Sequence, residues 1–328
     1  MFSKLRELVG LGPDIAGLVL IERARCVNGE RLAAALLAGD DSGFRTALSP
    51  VERGGVRLWD EAHAALQWTA QSIDDASFAD RWPETVPDDA EPLLVRAVVR
   101  RIAAWEARGS GFVDELEDPD WATYERLLGE AQADAARAAE LAPESPLPWA
   151  VLAGIRLSFD LASVGESFEG CIAIDPLNYD VHQTMLYAKG ATWYGSNDEM
   201  LAFARGVTRD ARAGSPLHAL LPHALSIRWT RECDADEEAA LRRLMDGAVT
   251  GEVVEAYSGM GDGALAASEL ERARALNWFA WYFYMADQDA LAAEAFTRTG
   301  RDVLREPWEL LGDDALKTFA RSRKLCKP

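Results

Sequence analysis

The chain has 328 residues, 49% of them hydrophobic, and sets 34 Lys plus Arg against 54 Asp plus Glu for a formal charge of −20. That charge repels a polyphosphate backbone and an anionic bilayer, which argues against nucleic acid and membrane as partners; acidity by itself reads as a means of staying in solution rather than as a sign of a basic partner. Length and apolar content suffice for a large core, and the recurrence of Ala, Leu, Glu and Arg predicts an all-α protein.

At the N-terminus Lys4 and Arg6 precede an apolar run that Glu7, Pro13 and Asp14 interrupt, with no small-residue cleavage signal after it. No later stretch approaches the roughly 20 uninterrupted apolar residues of a spanning helix, so the expected location is cytoplasmic. Asp40, Asp41 and Ser42 are placed to cap a helix from Phe44 that Pro50 ends. Trp59, Ala62, His63, Leu66, Ala70 and Ile73 then fall on one face of another helix. Residues 82–92 (WPETVPDDAEP) hold three prolines and four acids and mark the expected boundary between an N-terminal helical layer, 1–82, and the rest of the chain, 90–328. Beyond it Val95, Val98, Val99 and Ile102 predict an amphipathic helix, followed by a loop at Gly109 and an acidic run over 114–120. Pro119 suits the first turn of the next helix, with Asp118 as its cap.

From there a repeat register is visible. Ala131, Ala135, Ala138 and Pro143 fit the second helix of a unit and its terminating proline; Trp149, Leu152 and Ala153 open the next unit, which ends at Pro176, 33 residues after Pro143. Leu276, Phe279, Ala280 and Phe283 share one helical face, and Ala292 and Phe296 lie on the helix that follows. These features, together with the turn of residues 175–178, resemble the tetratricopeptide (TPR) repeat over about 121–308. The resemblance departs from the pattern at several points. Gly165 stands where a small Ala is usual and Glu169 at the aromatic position unless the register slips by one, and Pro216 follows only 40 residues after Pro176. The segments 104–111 (AWEARGSG) and 193–205 (WYGSNDEMLAFAR) are also similar to actinobacterial TPR-like proteins to which no function is assigned, so no catalytic residues come with the likeness. What it implies is a right-handed stack of antiparallel helix pairs whose concave groove binds peptides; a plain antiparallel bundle stays open beside it.

Residue chemistry gives no support to catalysis or metal binding. The four histidines, His63, His182, His218 and His223, belong to no metal motif, and His63, on an apolar face, reads as a hydrogen-bonded core residue. Cys26, Cys171, Cys233 and Cys326 are widely spaced and read as reduced thiols. The glycine run starting at Gly259 lacks a preceding strand and a following Lys, and reads as an inter-helix loop rather than a phosphate cradle. Acid pairs at 74–75, 88–89, 236–238 and 313–314 sit where helices should start and read as caps. No metal and no cofactor is therefore expected.

The sharpest anomaly is residues 278–284, six aromatics in seven positions, which must cover every face of a helix. In the repeat register Phe279 and Phe283 face the paired helix, while Asn277, Trp281 and Tyr284 point to the groove, with Arg274 beside them and Gln183 and Tyr187 as candidates for the same surface. The competing reading makes this helix central, wrapped by C-terminal helices around Trp308, Leu310 and Phe319. The expected function is a non-enzymatic scaffold for a protein or peptide partner. Two readings from other classes accompany it: an enzyme with a pocket in the concave face, and a homo-oligomer joined through the aromatic helix 277–286.

Overall fold

In a computed structural model the described residues are 15–53, 56–109, 116, 119–261 and 268–326, and they are predominantly helical. The chain enters through a two-residue strand β1 (Val19–Leu20) and helix α1 (Ile21–Leu37). Then come α2 (Ser42–Ala47), the hairpin of β2 (Val51–Arg53) and β3 (Val56–Leu58), α3 (Asp60–Gln71), α4 (Ala76–Thr85), α5 (Ala90–Arg108), α6 (Trp121–Leu141), α7 (Leu147–Arg156), α8 (Leu161–Ile174) and α9 (Tyr179–Ala188). After them follow α10 (Asn197–Asp210), a 3₁₀ turn (Pro216–Ala219), α11 (Leu220–Leu244), α12 (Gly247–Met260), α13 (Glu269–Met285), α14 (Asp289–Thr299), β4 (Asp302–Val303), the short α15 (Arg305–Trp308) and α16 (Ala315–Leu325). Two units divide these elements. The first spans Arg25–Ala188 with Thr192–Tyr194; the second is assembled from Met1–Ala24, Lys189–Ala191 and Gly195–Pro328.

One apolar core runs through the first unit, from Ala33, Phe44 and Trp59 through Leu66, Trp82, Leu94, Val95 and Val98 to Leu128, Ala131, Ala135, Ala138, Val151 and Ile155. The boundary expected at 82–92 therefore falls inside a unit. Trp82 packs on Phe44 (5.8 Å between ring centroids) and Phe78 (5.7 Å). Pro92 is the third residue of α5, where a helix amide needs no intrahelical acceptor, and Pro83 sits in the last turn of α4, so neither proline separates domains.

Carboxylates start helices much as anticipated. Asp75 accepts from Ser77 N (3.0 Å) at α4 and Asp314 from Lys317 N (3.0 Å) at α16. Asp236 accepts from Ala239 N (2.9 Å) at a kink within α11, where its own φ of −159° and ψ of 91° interrupt the helix. Asp89 is the N-cap residue of α5, but its carboxylate turns to Arg45 Nη2 (2.7 Å). The cap of α6 is Asp120, accepting from Thr123 N (3.0 Å), which leaves Pro119 ahead of the helix; Asp118, the expected cap, lies outside the described residues.

Burial in α8 follows the slipped register. Val164 and Cys171 are fully buried and Phe168 packs beside Cys171, whereas Glu169 is exposed and nothing lies near Gly165. The close approach is made one turn later: a Cβ on Gly170 would come within 2.6 Å of the Trp149 ring.

Helix α13 is the centre of the second unit, with every residue from Ala275 to Ala286 buried. Trp281 meets Trp229 of α11 (5.8 Å), Trp278 stacks on His223 of α11 (4.0 Å, 14°), and Phe279 and Phe283 flank Tyr257 of α12 (5.1 and 5.2 Å). Tyr282 Oη donates to Leu244 O (2.9 Å). Beside it Phe296, Trp308 and Phe319 form a triangle with centroids 5.1 to 5.4 Å apart. The unit is closed at its edge by β1 pairing in parallel with β4, Val19 opposite Asp302 and Leu20 opposite Val303.

Candidate functional site

The structure places the expected binding residues in two different environments. Trp281 and Asn277 are fully buried and Tyr284 is 2% exposed, so none of the three presents a groove surface. The reason is physical: six aromatics on successive positions leave no polar face, and the unit surrounds the helix instead of exposing it. The same burial removes helix 277–286 as the joining surface of a homo-oligomer. Asn277 has a structural task. Its Nδ2 donates to Ala273 O (2.8 Å) and Asp302 O (3.0 Å), and its Oδ1 accepts from Trp308 Nε1 (2.8 Å) and Leu304 N (3.2 Å), which uses the full capacity of the amide. Arg274, half-buried, pairs with Glu271 (3.0 Å).

Gln183 and Tyr187 belong to α9 in the first unit, half-buried and joined to each other, Gln183 Nε2 donating to Tyr187 Oη (2.8 Å). They share a helical face with Asp180, three residues before Gln183. Asp180 in turn ends a relay whose polarity can be derived. Arg101 can only donate, and its Nη2 does so to Gln67 Oε1 (2.8 Å). The Gln67 amide nitrogen therefore faces His63 Nε2 (3.1 Å), which must accept, and the ring proton sits on Nδ1, directed at Asp180 Oδ2 (2.6 Å). With Nε2 already engaged, this His–Asp pair orients a core ring and offers no free base. Gly154 makes room for the relay, since a Cβ there would lie 2.8 Å from Arg101 Nη1.

A cavity of about 430 Å³ lies in the second unit, lined by Arg205, Thr208 and Arg209 of α10, His218 of the 3₁₀ turn, Leu221 of α11, and Glu252, Glu255, Ala256 and Gly259 of α12. Within α10 and α12 these positions recur at helical spacings of three and four, which puts each set on one face. The floor is buried: His218 is 7% and Thr208 9% exposed, with Leu221 and Ala256 beside them. The rim is charged and exposed.

Gly259, expected in a loop, ends up in the last turn of α12 and shapes the floor. A Cβ there would come within 2.7 Å of the His218 ring, and its carbonyl accepts from Gly214 N (2.9 Å), tying the turn to the helix. His218 Nε2 lies 3.2 Å from Arg212 O, an acceptor only, so Nε2 carries the proton and Nδ1 the lone pair. Burial pushes the His218 pKa down and keeps the ring neutral near pH 7. Its Nδ1 has no partner, and neither has Thr208 Oγ1. Buried polar atoms without partners are uncommon and costly, and these two lie beneath the surface of residues that line one cavity. On the rim Arg205 Nε pairs with Glu252 Oε2 (2.7 Å) and Arg209 Nε with Asp210 Oδ1 (3.0 Å), while Glu255 has no ion-pair partner among the described residues.

Elsewhere, burial drives the pKa of His223 down to about 3 and of His182 to about 4, and raises the Cys171 thiol. Among the described residues no group of three or more His, Cys, Asp or Glu is placed to hold a metal ion, and no helix is long and apolar enough to cross a membrane. Comparison with protein-family models, with curated proteins and with solved structures finds no match.

Proposed function

We propose that this protein is a non-enzymatic scaffold that captures a peptide segment of a protein partner, with TPR-like helix pairs as its framework and the cavity between α10, the 3₁₀ turn and α12 as the point of capture. The observation that carries this reading is the cavity of about 430 Å³, with apolar Leu221 and Ala256 in its wall and the charged side chains Arg205, Arg209, Glu252 and Glu255 around them. A peptide side chain entering the cavity would cover Leu221 and Ala256 and leave its backbone beside the charged rim. Support for the framework comes from Ala131, Ala135 and Ala138, fully buried on one face of α6, and from the α13–α14 pair, whose Leu276, Phe279, Ala292 and Phe296 are at most 1% exposed. The engagement of His63 Nε2 by Gln67 favours binding over catalysis at the first unit's His–Asp pair.

The test is a peptide array probed with wild type and with Glu255→Lys, which reverses a charge at the exposed rim. Retention by wild type of peptides that the variant releases, with an unchanged melting temperature, is the expected result. An array on which wild type retains nothing would end this reading.

A further inference from the structure

We propose that the seam between α5 and α7 in the first unit is an anion site, separate from the peptide cavity, in which Arg101 holds a carboxylate or phosphate oxyanion. Arg101 Nη2 donates to Gln67 Oε1 (2.8 Å), a neutral acceptor, and among the described residues no carboxylate pairs with the guanidinium. The Asp180 carboxylate, at the far end of the relay, is engaged by His63. The other nitrogens of Arg101, Nε and Nη1, have no partner in the protein and yet are not sealed from solvent, so a ligand can reach them. Burial pulls the Arg101 pKa down, with no acid near enough to oppose it. A half-buried guanidinium without a counter-charge is costly, and an oxyanion complements it by accepting several N–H bonds at once. The neighbouring residues leave room for one. Gly154 of α7, itself partly open to solvent, lies against the guanidinium, where a Cβ would come within 2.8 Å of Nη1. Trp105, one turn beyond Arg101 on α5, meets the Trp193 ring (6.3 Å), and the adjacent Tyr194 Oη donates to Leu157 O at the end of α7 (2.8 Å), so residues 193–194 close one end of the seam. The charge that selects the ligand is that of Arg101: Arg108 covers the Trp105 ring (5.0 Å) and Asp160 caps α8 by accepting from Ser163 N (2.8 Å). A chain of net charge −20 repels anions at large, so saturable oxyanion binding has to come from a specific site.

The full chain would be titrated calorimetrically at fixed ionic strength with inorganic phosphate, with benzoate and with benzamide, the neutral isostere of benzoate. Saturable binding of phosphate or benzoate is expected, with benzamide weaker than the bound oxyanion by about tenfold or more; which of the two anions binds more tightly distinguishes a phosphate site from a carboxylate site. Arg101→Met should weaken the bound oxyanion by about tenfold or more, while Arg31→Gln, which removes the same charge at an exposed site in α1, should leave it unchanged. Should Arg101→Met fail to fold, Gly154→Ala decides: its Cβ displaces only the end of a flexible side chain, and the expected result is lost affinity in a folded protein. Wild type that binds neither oxyanion, benzamide as tight as the bound oxyanion, equal losses from Arg101→Met and Arg31→Gln, or full affinity in Gly154→Ala would overturn the anion site. An empty peptide array would leave it standing.

Discussion

Replacing Asn277 by alanine cuts a side chain that ties α13 to the segment bearing β4 and α15. The change strands the buried Trp308 Nε1–H and the partly buried Leu304 N–H, and takes a donor from Asp302 O. A buried group left without a partner costs on the order of 1–3 kcal/mol, so Trp308 alone sets an expected loss of about 1–3 kcal/mol, to which Leu304 adds a smaller share. Ala273 O adds little, because the helix still supplies it with an amide. The assay is urea denaturation with hydrogen exchange read over residues 302–308, where protection should collapse first. Asn277→Asp sharpens the test: the carboxylate is destabilising when ionised, but a protonated acid regains one donor and one acceptor, so its deficit should shrink as pH falls. A loss below about 1 kcal/mol for alanine, or a deficit in the aspartate variant that does not change with pH, would refute the hub assignment. Peptide retention by the folded alanine variant should equal that of wild type, since Asn277 touches no part of the cavity.

Trp281→Ala should cost about 3–5 kcal/mol as a core truncation, and a melting temperature within a degree or so of wild type would contradict its burial. Gly259→Ala should push the His218 ring from its seat and lower stability; combined with His218→Ala it should cost far less than the sum of the single changes, and additive losses in a double-mutant cycle would break the link. The pKa of His223 falls from its ordinary 6.5 to about 3, so the unfolded chain binds more protons in that interval and stability is lost as pH drops through it. At about 1.4 kcal/mol per pKa unit the loss is several kcal/mol, and His223→Phe should abolish that part of the slope. In the first unit His182, lowered to about 4, acts in the same sense, while Asp175, raised from 3.8 to about 6, gains stability as pH falls through that window. The two nearly cancel, so exchange protection there should change little between pH 6.5 and 4, and a steep fall confined to the first unit would contradict the pairing of signs.

What the sequence made legible was whatever depends on local period. The faces of α3 and α6 and the capping acids Asp75, Asp236 and Asp314 follow from spacing within one helix, and they appear where spacing puts them. Features that depend on a distant neighbour were misread. Residues 82–92 looked like a linker because three prolines are a local signal, whereas the packing of Trp82 on Phe44 is not. Asn277, Trp281 and Tyr284 were assigned to a groove because register names a face but cannot say what covers it. The cavity was invisible for the same reason: Gly259 and His218 are 41 residues apart, and the meaning of each lies in the other. A signal is nonetheless present in the helical spacings, which put Arg205, Thr208 and Arg209 on one side of α10 and Glu252, Glu255, Ala256 and Gly259 on one side of α12.

The pairing of β1 with β4 has a consequence for the order of synthesis. Val19 and Leu20 leave the ribosome 283 residues ahead of their partners Asp302 and Val303. Nearly the whole first unit can close while the leading segment is still without its strand mate. The second unit can complete that edge only once β4 is made, by which point α11 and α12, on which the aromatic run of α13 packs, are already in the chain.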